Sequence, residues 1–461
     1  MKGEIYMENN KKQYNLLTAI SMIVGIVIGS GIFFKSDDIL RFTGGSVGLG
    51  ILLFIIAGLS IVFGSLSVAQ LVLRSNKVGG VISYMEVSFN KAFGGAFGWF
   101  HALCYYPTLT AVVSWVAGIY ITMLFGLPQT LELQCAIGFT ATAILFLVNI
   151  FSKKIGGYLQ VSSTVIKLIP LFLIAILGLV KGNPTNITMT SVLGNTSGLG
   201  FIAAIVPIAF SFDGWIISTS ISHELKNPQK TLPLALIISP LFIVIAYSLY
   251  LVGISALIGP EKVVAMGDAH VDEVANLLMG PSGAKIMLTF VIVSILGTVN
   301  GIVLGGMRLP YLLANKGVSP LKNLLGKNNE KYDIPIYSSI FFFIITVVWY
   351  IGHYFVMKYS LLQGSDVSEI AIVMNYVCYI VIYFAVIRMY KNKEITNAFY
   401  GLVSPIIATI GSVIIFLGSA LIITAESVQL NYKSVSFMMV SVVILLVGYY
   451  YSQRNINKLG R

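Results

Sequence analysis

Long apolar runs separated by short polar connections recur along the whole chain. An α-helix needs about 20 residues to cross about 30 Å of hydrocarbon, and twelve runs of that order are predicted as membrane spans. They lie at 14–34, 47–73, 94–125, 131–151, 156–181, 201–222, 231–258, 284–308, 334–356, 367–390, 399–424 and 434–454. Most polar residues fall in the connections. A few stand inside the runs, where a polar group without a partner is costly, and these are the informative positions.

Two runs are interrupted in the middle. The first contains "IVIGSGIFF", residues 26–34, which sets Gly29, Ser30 and Gly31 together where a spanning helix should be strongest. Glycine costs about 1 kcal/mol relative to alanine inside a helix. The sixth contains "AFSFDGW", residues 209–215, with Pro207 just upstream and Asp213-Gly214 in mid-segment. Runs one and six open two consecutive sets of five, the arrangement of an inverted repeat with broken helices at a midplane site. The fold class expected is an all-α integral membrane protein of 12 helices, one transmembrane domain over 1–461. The first repeat covers about 14–181 and the second about 201–390, with two C-terminal helices at about 399–454 outside the repeat.

A broken helix exposes free N–H groups at the start of one half and free carbonyls at the end of the other. The N–H end, with its partial positive charge, binds carboxylate, while freed carbonyls accept from an ammonium. Together these two ends describe a site for an α-amino acid. Gly-Ser-Gly is also a common close-packing surface between membrane helices. The second, symmetric break with its ionisable residue favours a site.

Composition and charge agree with a membrane protein: 57% of the 461 residues are hydrophobic and 10% charged, against roughly 25% charged in soluble domains. A net charge of +11 would suggest nucleic acid in a soluble protein, but its distribution excludes that. With a cytoplasmic N-terminus, and with residues at span ends counted with the adjoining connection, 21 of the 29 Lys and Arg fall in the tails and even-numbered connections, 7 fall outside, and Lys167 falls deep within a span. This is the positive-inside asymmetry, and it places both termini in the cytoplasm of a multi-pass cell-membrane protein. Cys104, Cys135 and Cys378 lie in or beside apolar runs and read as small core residues. The first run is too long for a removable signal peptide. Neither a cofactor nor a metal is indicated: the four histidines, at 101, 223, 270 and 353, are scattered.

Four stretches then resemble the amino acid–polyamine–organocation (APC) superfamily, and within it the L-type amino acid transporter (LAT) family and its bacterial relatives. They are "GIVIGSGIF" at 25–33, "FSFDGW" at 210–215, "HELKNPQKTLPLAL" at 223–236 and "GTVNGIVLGGMRLPYLLANKGVSP" at 297–320. The resemblance implies a twelve-span, LeuT-like 5+5 fold with helices 1 and 6 discontinuous, moving amino acids by alternating access as an exchanger. It further implies that the N–H groups around Gly29, Ser30 and Gly31 hold the substrate carboxylate. Carbonyls of Val27, Phe210 and Asp213 would face the amine, Ser211 would line the site, and the Phe210 ring would close over it. Tyr247 and Asn375 fall where relatives have pocket side chains; interhelical hydrogen bonding is the other reading for both.

Lys167 stands in mid-span, where insertion of an ammonium costs at least about 2.5 to 3.5 kcal/mol. It must face polar groups or reach strongly towards the cytoplasm. The resemblance puts it where sodium binds in coupled relatives, tying the first helix to the eighth near Asn300, which implies sodium-independent transport; a lowered pKa would leave proton coupling open. Asp213 reads either as a cap for the second half-helix of span six or as a substrate-selecting or protonating group. Glu224 reads either as an inner gate charge or as a solvated loop charge. The leading function is a secondary transporter of neutral L-amino acids by sodium-independent exchange, with a proton-coupled symporter or an amino acid receptor as alternatives. Its partners are then the amino acid and membrane lipid, without nucleic acid or an obligatory protein partner.

Overall fold

The computed structural model describes residues 15–74, 80–151, 166–187, 199–216, 225–329, 334–362, 365–424 and 427–459. The first apolar run forms two helices, α1 (Leu16–Val27) and α2 (Gly31–Phe42), whose axes meet at 59°. There follow α3 (Val47–Val72), α4 (Gly80–Ser88), α5 (Lys91–Leu124), α6 (Leu131–Phe151), α7 (Leu168–Lys181), α8 (Gly200–Ser211) and α9 (Pro228–Ile258). Then come α10 (Pro260–Met266), α11 (His270–Asn315), α12 (Ile336–Lys358), α13 (Val367–Lys391), α14 (Phe399–Ala420) and α15 (Tyr432–Leu459), with a short helical turn at Lys322–Leu325 and an antiparallel strand pair, Leu421–Ile423 with Val428–Leu430, between α14 and α15. Among the described residues nine helical stretches are long and apolar enough to cross a membrane, and the bent α1–α2 pair makes a tenth. α7 and α8 are shorter apolar helices at the places of the fifth and sixth predicted runs, and each adjoins residues outside the described set.

Caps and breaks explain where these helices start and stop. Asn15 caps α1 by accepting from the Thr18 N–H at 2.9 Å, and Ser46 accepts from Leu49 at the start of α3. α11 begins upstream of the predicted run, at His270, and is kinked at Gly280, whose φ of 69° lies outside the helical range and immediately precedes Pro281. α2 runs to Phe42, eight residues past the predicted end of the first span at 34, and carries Lys35, Asp37 and Asp38 with it.

α5 is the central helix, with 83% of its apolar window buried, whereas α15 has 22% buried and lies at the periphery. α5 packs against α6, α11, α12 and α13, while α9 packs against α3, α7 and α1. Within α5, residues His101–Tyr105 form a π-helical stretch, an extra residue in the helix that re-aims the side chains around it. The start of α2 packs on α8, which brings the two interrupted runs together.

Candidate functional site

α1 ends where the Ile28 N–H donates to the Val24 carbonyl at 2.8 Å. Gly29 and Ser30 then turn the chain, and α2 begins at Gly31. Helix geometry leaves the amides of Ser30, Gly31 and Ile32 without a carbonyl one turn back. Gly31 is sterically required by the backbone it meets, and Gly29 packs closely on a side chain. A Cβ on Gly31 would lie 2.6 Å from the Ser211 Cα, and one on Gly29 would lie 2.7 Å from the Thr298 hydroxyl oxygen. Close packing and an open helix end therefore coexist at this break.

The second break begins at the end of α8. Phe212 and Asp213 form a turn, with the Asp213 N–H donating to the Phe210 carbonyl at 3.1 Å. Gly214 follows at a φ of 93°, a conformation that favours glycine. The Ser211 carbonyl accepts from the Tyr247 hydroxyl at 3.0 Å, so one of the freed carbonyls is already satisfied from α9. The Asp213 carboxylate accepts from the Tyr105 hydroxyl at 2.5 Å. The continuation of this run and Glu224 lie outside the described residues.

Between the two breaks is a cavity of about 340 Å³. Val27, Gly29, Ser30 and Gly31 line it from the first break, and Phe210, Ser211 and Asp213 from the second. Lys167 lines it as well, and its buried ammonium donates to the Gly25 carbonyl near the end of α1. The other predicted residues stand behind this wall. Tyr247 packs its ring on Phe54 and Phe212. Asn375 is held between His101, at 3.0 Å, and the Tyr379 hydroxyl, at 2.7 Å. Asn300 accepts from the Asn149 amide at 2.8 Å. Tyr105, in contrast, reaches the cavity though nothing in the sequence singled it out.

A second group, which no sequence pattern brings together, lies along α2. The Lys35 ammonium is 2.8 Å from Asp366 and 2.8 Å from Glu369, with all three side chains at most 4% exposed, and 3.6 Å from Asp38. Asp366 and Glu369 are also the capping box of α13: the Asp366 carboxylate accepts from the Ser368 and Glu369 amides, and Glu369 accepts from the Asp366 amide. Burial pushes the Asp366 carboxyl up, but the Lys35 charge, the nearby His353 and the hydrogen bonds from Lys35 and Ser368 together outweigh this and hold it below the usual carboxylate range. The Lys35 ammonium also lies 5.2 Å from the Phe210 ring centroid, and Phe34 packs edge-on against Phe210 at 6.0 Å. The Asp366-x-x-Glu369 spacing was readable as a helix start, but its distant partner was not.

The sequence profile of the family described as "Amino acid permease" matches residues 14–449. The chain is 29% identical over 420 residues to the serine/threonine exchanger SteT of Bacillus subtilis (strain 168), covering 88% of this chain and 91% of that protein. It is 30% identical over 323 residues to the cystine/glutamate transporter of Homo sapiens, covering 67% of this chain and 62% of that protein. With the large neutral amino acids transporter small subunit 2 of Homo sapiens it shares 30% identity over 348 residues, covering 73% of this chain and 64% of that protein. The chain thus spans less than two thirds of the length of either human relative.

Lys35→Met should destabilise the protein by about 3 to 5 kcal/mol, because it leaves Asp366 and Glu369 buried without their cation. Arg41→Met is the control: Arg41 pairs with Asp38 at 2.5 Å but is 46% exposed, so its loss should cost no more than about 1 kcal/mol. Heat unfolding of both variants in detergent measures this. Similar midpoints for the two would show that the Lys35 group contributes no more than a surface pair.

Proposed function

The chain belongs to the amino acid permease family of the APC superfamily, and from that premise we propose that it is a sodium-independent exchanger of neutral L-amino acids working by alternating access across the cell membrane. It is a multi-pass membrane protein of a family that moves amino acids rather than transforming them. The observation that carries the proposal is the cavity between two interrupted helices, with unpaired helix-start amides on one wall and chain-turn carbonyls on the other. An amino acid zwitterion needs donors for its carboxylate and acceptors for its ammonium, and this wall pair offers both without a charged clamp. In this reading the amides of Ser30 and Gly31 take the carboxylate, carbonyls of Val27, Phe210 and Asp213 face the ammonium, and the Phe210 ring closes the cavity.

Neutral substrates are supported by charge balance. Lys167 and Asp213 both line the cavity, so their formal charges cancel, and a zwitterion with an uncharged side chain preserves that balance. The similarity to a serine/threonine exchanger points the same way. Sodium independence is supported by the Lys167 ammonium on the Gly25 carbonyl, since a fixed cation there already satisfies the broken helix. The charge asymmetry of the connections supports cytoplasmic termini, which puts the Lys35 group on the outer side. The two breaks, five runs apart, support a twelve-span fold with repeats over about 14–181 and 201–390.

Three measurements in proteoliposomes test the proposal. Exchange should be unchanged when sodium is replaced by choline; a steep dependence on sodium defeats the sodium-independent reading, and net uptake driven by a proton gradient would favour symport. Decarboxylated analogues of transported amino acids should compete at least tenfold more weakly than their parents, because they offer nothing to the α2 amides; equal competition defeats that placement.

Lys167→Ala should slow exchange more than it weakens equilibrium binding in detergent. The variant strips the Gly25 carbonyl of its donor, at about 1 to 3 kcal/mol where no water takes the ammonium's place, and so shifts the balance between inward-open and outward-open states. Loss of binding in proportion to rate would make Lys167 a direct ligand, and unaltered exchange would remove it from the cycle.

A further inference from the structure

We propose that Asp213, held in place by Tyr105, reads the substrate side chain and selects amino acids that carry a side-chain hydroxyl; this rests on the transport reading above. The geometry begins with reach. Gly31 abuts Ser211 so closely that a Cβ would meet the Ser211 Cα at 2.6 Å, and Asp213 lies two residues beyond Ser211 on the same cavity wall. Asp213 and Tyr105 line the same cavity as the start of α2, so the side chain of an amino acid anchored there by its carboxylate has them within the same space.

What the pair offers there is acceptors. The Tyr105 hydroxyl donates its proton to the Asp213 carboxylate at 2.5 Å, so that proton is already engaged. A carboxylate has about four lone-pair directions, so further donors can still be received, and neither group keeps a free donor. A ligand side chain must therefore donate. An acidic side chain would meet like charge. A cationic one would leave an uncompensated positive charge in a cavity whose Lys167 and Asp213 already balance. A hydroxyl donates without adding charge.

Tyr105 is placed by more than its bond to Asp213. It ends the π-helical stretch of α5, and its ring stacks on the His101 ring at 4.6 Å between centroids and 24° between planes. His101 is in turn fixed by Asn375, and Asn375 by Tyr379. This buried chain runs from α13 to the cavity edge and leaves the phenol little freedom, so Tyr105 is the positioning residue and Asp213 the reader.

The test compares L-threonine with L-valine, which have nearly the same shape and differ in hydroxyl against methyl, by equilibrium competition in detergent and by exchange in proteoliposomes. The purified full chain should prefer threonine by about tenfold or more. Asp213→Ala should bring the ratio close to one, and Asp213→Asn, which keeps the shape, should lower it in the same direction. Tyr105→Phe should lower it about threefold. A lesion in folding or in the transport cycle would depress both substrates together and leave the ratio unmoved, which would overturn the assignment. A parent protein that takes valine as well as threonine, or prefers lysine to both, overturns it without any variant. A parent protein that carries no amino acid at all defeats the transport reading instead.

Discussion

Hydrocarbon offers no water to a broken helix, and that constraint governs how this molecule is built around residues 28–30. Interrupting the α1–α2 run releases carbonyls at one end and amides at the other, and each must be met by protein or by ligand. The Lys167 ammonium meets the Gly25 carbonyl. At the second break Tyr247 meets the Ser211 carbonyl from α9. These partners come from helices far away in sequence, so each break recruits its surroundings: α7 is tied to α1, and α9 to α8. What the protein does not satisfy faces a cavity, which is where a zwitterion can complete the bonding.

The interrupted runs were legible in the sequence because glycine and aspartate are conspicuous in apolar surroundings. Lys167 was legible for the same reason, as an ammonium with no solvent nearby. The extension of α2 to Phe42 was not, because Lys35-Ser36-Asp37-Asp38 reads as an ordinary polar connection. Its charges become tolerable inside the protein only through Asp366 and Glu369, 331 and 334 positions along, and no local pattern reveals such a pairing. The likeness to amino acid permeases, carried by four short stretches, extends over residues 14–449 in the family comparison.

The cavity wall was legible where backbone makes it, at Val27 to Gly31 and Phe210 to Asp213, because backbone geometry follows from glycine placement. Side chains drawn from other helices were harder. Tyr247 and Asn375 stand one layer behind the wall, holding a carbonyl and a histidine, and Tyr105 reaches the cavity in their stead. The reason lies in α5: a π-helical residue changes the helix register without changing composition, so the facing of Tyr105 cannot be read from a 3.6-residue period.

The two buried lysines differ in a way that suits different tasks. Lys167 rests on a neutral carbonyl, a bond that water or another carbonyl could replace at little net change, so the end of α1 can move relative to α7 without separating opposite charges. Lys35 rests on two carboxylates, which binds α2 to the start of α13 beside Phe210. Parting those charges in a dry interior would be prohibitive, but parting them into water is not, because the desolvation that opposed their burial is then recovered. A buried ion pair of this kind therefore holds two helices together for as long as its surroundings stay dry.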